Sequence, residues 1–207
     1  MKVKAKYFFW VVVIIAVVTT IVIFQLSSRQ EKFSDNTAVN EEVVKIRNFS
    51  VSSDSTDLKT SAKGTVFVTG DEGIPKHVRI VASIVIDPND WGGVAFSIPD
   101  KWYISNIISS YPVNETQSIP EEFVSTWTTA ETEVEWRARI EVGKSSSYKP
   151  TGGGSGTIVI DIAPDKNAIH QSETFNIAIA VGSDERGSIK IVGPDFIEVP
   201  ISIIDNE

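Results

Sequence analysis

The chain has 207 residues, 42% hydrophobic, 22% charged and 9% aromatic, with 19 basic and 27 acidic residues and a formal net charge of −8. That composition excludes wholesale disorder and collagen-like repeats, and the length holds one ordinary domain with a tail, or two small domains. The absence of cysteine excludes disulfides, thiolate metal sites, a cysteine nucleophile and a lipid-modified cysteine anchor.

The first element is the run Tyr7 to Phe24, YFFWVVVIIAVVTTIVIF, 18 residues without a charge that Leu26 extends. A helix of this length rises roughly 27 to 30 Å, the thickness of a bilayer's hydrocarbon core. Residues 7–26 are therefore expected to form a single transmembrane helix, with Tyr7 and Trp10 near the headgroup interface. The rival is a cleaved signal peptide. It is disfavoured because the run is long and Leu26 fits a small-residue cleavage position poorly.

Lys2, Lys4 and Lys6 precede the span, which places residues 1–6 in the cytoplasm and everything after the span outside the cell. No acid precedes Glu31, so removing those three lysines from 19 leaves 16 basic residues against 27 acids, net −11, for the outer part. A surface of that sign repels nucleic acid and anionic headgroups. Residues 27–42, SSRQEKFSDNTAVNEE, are polar and aperiodic and are expected to be a disordered stalk.

From Val43 the pattern changes to short apolar runs broken by turn residues. Val43–Val51 and Gly64–Thr69 are expected strands, and Val78–Ile86, apolar on nearly both faces, a central one. The loop Asp87-Pro88-Asn89-Asp90-Trp91-Gly92-Gly93 follows. Asp87, Asn89 and Asp90 offer a hard divalent cation, calcium in particular, several oxygen ligands; the other reading is a turn held by its own Asx side chains.

Ile104, Ile107, Ile108 and Tyr111 fall at helical spacing, but the β-branched residues and the Ser-Ser pair make 102–111 an expected strand. In Val134–Val142 the residues Val134, Trp136, Ala138, Ile140 and Val142 alternate with charged ones, so Trp136 is expected in the core. Gly143–Ser155 is expected to be a long loop. Its glycines lack the lysine and the following helix of a phosphate loop, and the spacing of a nucleophile elbow. Thr157–Ile162, Phe175–Val181 and Ile197–Ile203 complete the set, with Pro200 marking the last as an edge strand.

Seven to nine strands after residue 43 predict an all-β domain over 43–207, an antiparallel β-sandwich of immunoglobulin-like architecture, with a barrel as the other closure. No catalytic residue stands out. His77 and His170 are the only histidines, and neither sits in a motif that places it beside a nucleophile, so no enzyme activity is expected. Trp91, Trp102, Tyr103 and Trp127 fall in or near connections, where rings stack on sugars or anchor a protein partner. Asn48-Phe49-Ser50 and Asn114-Glu115-Thr116 match glycosylation sequons.

Together these features predict a membrane-anchored, non-enzymatic cell-surface protein. Its sandwich is expected to bind an extracellular protein or to serve as an accessory subunit of a membrane complex. The alternative is a carbohydrate-binding module that uses the exposed tryptophans.

Overall fold

Ten strands, and no helix among the described residues, follow from the short β-branched runs. The computed structural model describes residues 42–71, 74–113, 123–129, 136–165 and 174–202. The strands are β1 (Glu42–Ser52), β2 (Ser61–Asp71), β3 (Ile74–Ile86), β4 (Val94–Pro99) and β5 (Trp102–Ser109), then β6 (Val124–Thr128), β7 (Trp136–Val142), β8 (Gly154–Pro164), β9 (Phe175–Arg186) and β10 (Ile189–Ile201). They form two five-stranded sheets, β1-β2-β3-β8-β5 and β10-β9-β4-β7-β6, in which every pairing is antiparallel.

Alternation puts one face of each sheet into a common core. Val78, Ile80, Ala82, Ile84 and Ile86 of β3 face inward with Ile158, Ile160 and Ile162 of β8. Opposite them stand Phe96 and Ile98 of β4, Ile140 and Val142 of β7, and Ile177, Ile179 and Val181 of β9. A fully buried side chain of this kind contributes roughly 1.5 to 3 kcal/mol, so the all-β, two-sheet arrangement rests on these positions. Residues Glu41–Glu207 form one compact unit, and every residue of this core lies inside it.

The predicted membrane span at residues 7–26 lies outside the described residues, as does the stalk up to residue 41. Among the described residues no helix is long and apolar enough to cross a membrane. Val78–Ile86 is the middle of its sheet, and β10, which carries Pro200, is an edge. Segment 102–111 is strand β5 over most of its length.

Several expectations need correction. β4 has no period-two signal because both of its faces are covered, and β6, VSTWT, has none because it puts polar residues at inward positions. β8 begins at Gly154, inside the segment expected to be loop, and β10 begins at Ile189 rather than Ile197. Trp136 is half-buried rather than a core residue. A register shift between Ile98 and Pro99 pairs Pro99 with Trp136 and Ile98 with Ala138, so an extra residue breaks the alternation just before Ala138. Val134 lies outside the described residues. Trp136→Ala is accordingly expected to cost about 1 kcal/mol in a urea titration, where full burial would cost about 3 to 5. A loss above about 3 kcal/mol would return the ring to the core.

Candidate functional site

The loop from Asp87 to Gly93 closes one end of the core. Asp90 is fully buried, and three donors converge on its carboxylate. Thr60 Oγ1 donates at 2.5 Å, Ser183 Oγ at 2.6 Å and the Gly92 amide at 2.7 Å. Thr60 precedes β2 in one sheet and Ser183 belongs to β9 in the other, so Asp90 fastens the two sheets together. Asp87 accepts from the Lys59 amide at 3.0 Å and from the Asn89 amide at 2.9 Å. Of the three proposed cation ligands, Asp90 is turned inward to protein donors, Asp87 holds the turn, and Asn89 is exposed. Among the described residues no group of three His, Asp or Glu side chains has an arrangement that could hold a metal ion. The turn reading of this loop accounts for its contacts.

The four aromatic residues do not share a surface. Trp91 is buried, its ring edge-on to Tyr148 at 5.1 Å with Lys190 Nζ 5.7 Å from its centroid. Trp102 is fully buried, with Phe175 edge-on at 5.9 Å. Neither offers a ring face to a ligand. Tyr103 and Trp127 are exposed, 46% and 56%. Tyr103 points outward from β5, beside Ala163 of β8. Trp127 points outward from β6, its Nε1 donating to Glu141 at 2.9 Å. They belong to opposite outer faces, so they cannot form one stacking platform.

Glu141 is nearly buried and takes Lys144 Nζ at 2.6 Å, with Arg139 Nε 3.2 Å away. This network fixes the floor on which Trp127 lies. On the other sheet's outer face, Arg79 Nε lies 2.6 Å and His77 Nε2 3.6 Å from Asp161, and Asn106 Nδ2 is 3.4 Å away. Hydrogen bonding to Arg79 holds the Asp161 carboxyl below its ordinary 3.8, against the opposing effect of burial. A carboxyl lowered on folding stabilises the fold above its unfolded pKa, and that contribution is lost as the pH falls through the folded value. Asp161→Asn is therefore expected to flatten the stability profile below about pH 4 and leave its slope near neutrality unchanged. An unaltered acid limb would contradict the pairing. His77 turns Nε2 to Asp161, and its carbonyl accepts from Thr69 Oγ1 at 3.3 Å, while His170 and Asn114 lie outside the described residues. Asn48 is exposed but sits in strand β1, its Oδ1 accepting from Thr65 at 2.9 Å.

The feature that sequence reasoning missed is the flank formed by β5 and β6. Each is the last strand of its sheet, and β5 approaches β4 and β7, which brings the two edges to one side. Residues 102–113 and 123–129 carry no charge. The opposite flank, β1 with β10, carries Glu42, Lys45, Arg47, Lys190, Asp195 and Glu198 together with Pro194 and Pro200. Charges and prolines on an edge strand prevent pairing with another chain. Among the described residues, one flank is guarded in this way and the other is not.

The β6 edge also presents backbone groups. Thr129 N–H bonds the Arg137 carbonyl at 3.0 Å, and Gly143 N–H bonds the Phe123 carbonyl at 2.9 Å. The odd-numbered backbone groups of β6 thus face β7, and the period of two turns the amides of Val124, Thr126 and Thr128 away from the sheet.

Between the two edges opens a groove of about 570 Å³. Trp102, Ile104 and Ile107 of β5 line it, with Thr126 and Thr128 of β6 and Ala138 of β7. The signal for all this was available as a charge count along the chain, but only sheet order brings residues 102–113 and 123–129 to the same side. No family model matches the chain, and no curated protein matches it significantly.

Proposed function

We propose that this is a single-pass, membrane-anchored cell-surface protein without enzymatic activity. Its β-sandwich ectodomain binds an extracellular protein partner, or a neighbouring subunit of a membrane complex, along the β5–β6 flank. The observation that carries the reading is the pair of adjacent, uncharged edge strands with Tyr103, Ile108 and Trp127 exposed beside them. Aromatic and apolar side chains next to free strand edges suit strand addition, in which backbone bonds supply affinity and flanking side chains supply choice. The anchor rests on the apolar run at residues 7–26 and the lysines before it.

An immunoglobulin-like architecture accords with the pairing order. Strands β2-β3-β8-β5 and β10-β9-β4 follow the ABED and GFC arrangement, with β1 added outside β2 and the β6–β7 hairpin outside β4. The carbohydrate alternative is left with Tyr103 and Trp127 on opposite faces, which weakens it against the protein reading.

Protease added to intact cells is expected to remove the unit 41–207. A native form released to the medium and beginning near Arg29 would instead mean a cleaved signal. For the partner, full-length protein extracted from its membranes in mild detergent is expected to migrate as a complex on native gels. Thr126→Pro, which removes one outward amide at little cost to an edge strand, should release it to its own mass. Migration of both proteins at the mass of one chain would contradict the reading.

A further inference from the structure

We propose that the strand added to the β6 edge is the β6 of a second copy of this chain, running antiparallel to the first across a twofold axis. The inference rests on the partner reading and names the partner. β5 is the less suitable edge, because a register shift between Ile104 and Asn106 interrupts the row of backbone groups that a new strand needs. β6 pairs with β7 over Val124–Thr128 without such a shift.

Three features select a copy of the same strand. The outward-turned residues Val124, Thr126 and Thr128 are symmetric about Thr126. With the axis at Thr126, each Thr126 faces the other and each Val124 faces the Thr128 of the second copy, so every outward N–H meets an outward carbonyl. An axis at Ser125 or Trp127 would pair only two of the three within the strand. Charge is the second feature. A twofold axis sets like side chains against each other, which penalises a charged edge, and Val124–Thr128 carries no charge. A different protein meeting an outer part of net −11 is steered by complementary charge, and this strand offers none to match. The third feature is the side chains. Thr126 against Thr126 and Val124 against Thr128 are β-branched pairs suited to a ladder. On the other face Trp127, 56% exposed, would stand across from the small Ser125 of the second copy and diagonal to its Trp127, at about 7 to 8 Å. Such a contact is isologous, the commonest kind in oligomers, and it joins two five-stranded sheets into one of ten strands.

The chain has no cysteine, so introduced cysteines report this contact without background. The full-length variants Thr126→Cys, Val124→Cys and Thr128→Cys, each in its own membranes, are treated with a mild oxidant and run on non-reducing gels. Across the axis the two Thr126 Cα atoms would lie about 5.5 Å apart, within disulfide range. Two Val124 residues, or two Thr128 residues, would stand four positions apart along the strands, about 14 Å, and out of reach. Thr126→Cys should therefore shift to twice the mass of one chain, while Val124→Cys and Thr128→Cys expressed singly should not. Val124→Cys and Thr128→Cys expressed together should shift. Equal shifts from all three single variants would overturn the proposal, since they report collision without register. No shift from either Thr126→Cys or the mixed pair would overturn it as well. In that case a photocrosslinked adduct from Thr126 at a mass other than two chains would leave the partner reading standing with a different protein as partner, and no adduct would end both.

Discussion

Asp90→Ala is expected to be among the most damaging single substitutions in the unit 41–207, lowering stability by about 3 to 5 kcal/mol in a urea titration. The cause is local. The carboxylate is fully buried and accepts from Thr60 Oγ1, Ser183 Oγ and the Gly92 amide. Two of these donors are hydroxyls, which can turn to other acceptors, but the Gly92 amide is fixed by the backbone and would be left unpaired. The side chain also joins the start of β2 to β9, so its loss uncouples the two sheets at this end. Asp90→Asn keeps one acceptor oxygen and should cost about half as much. The Trp91 amide, which donates to Ser183 Oγ at 3.3 Å, would lose its orientation in the alanine variant, and Tyr148 would loosen with it. A loss below about 1 kcal/mol would mean that the carboxylate is solvated and the sheets are held together elsewhere.

Gly156→Val should cost about 3 kcal/mol or more, for the opposite reason: there is no room. A Cβ at this position would lie 2.6 Å from Tyr111 Cα and 2.7 Å from its amide nitrogen, so backbone rather than a flexible side chain would have to move. Overpacking that displaces only side chains costs typically about 1 to 3 kcal/mol, and a backbone clash lies at the upper end or beyond. Gly153 adds a second constraint of another kind, with φ of +66° and Asp87 backbone 2.7 Å from where a Cβ would stand. The glycine-rich segment is thus explained by close approach to Tyr111 and to the Asp87 loop, not by a bound phosphate. Ser155→Val, at the neighbouring exposed position, should change stability by less than about 0.5 kcal/mol. Burial pushes the Tyr111 phenol up to about 12. An acid raised on folding makes the fold lose stability as the pH climbs above the unfolded value near 10, so Tyr111→Phe should resist alkaline unfolding better than the wild type.

How far the fold can be read from the chain depends on which physical signal each segment carries. β9 announces itself because Phe175, Ile177, Ile179 and Val181 fall on one face, and β3 because its apolar, β-branched run is long. β4 is silent because it is covered on both faces, and a short apolar run carries no period of its own. β6 is silent because Thr126 and Thr128 sit where other strands place isoleucine, and those threonines help to form the groove. The shift at Trp136 is invisible in the sequence because a bulge depends on the partner strand, here β4. The site was less legible than the fold. The tryptophans that looked like a binding surface from their place in connections include two that the sheets bury. The uncharged flank exists only once β5 and β6 stand side by side. Acid–base patterning along the chain records which strands are guarded, but pairing decides which edges are left.

The most direct test of the partner reading is position-resolved photocrosslinking in living cells, with a benzophenone amino acid placed singly at Thr126, Trp127 or Ile108 on the unguarded flank. Control positions are Ser50 in β1 and Glu198 in β10, both exposed. The account predicts one defined higher-mass adduct from the β5–β6 positions, weakened by Thr126→Pro when the probe is at Ile108, and none from the controls. Equal adducts from both flanks, or adducts from β1 and β10 alone, would contradict it.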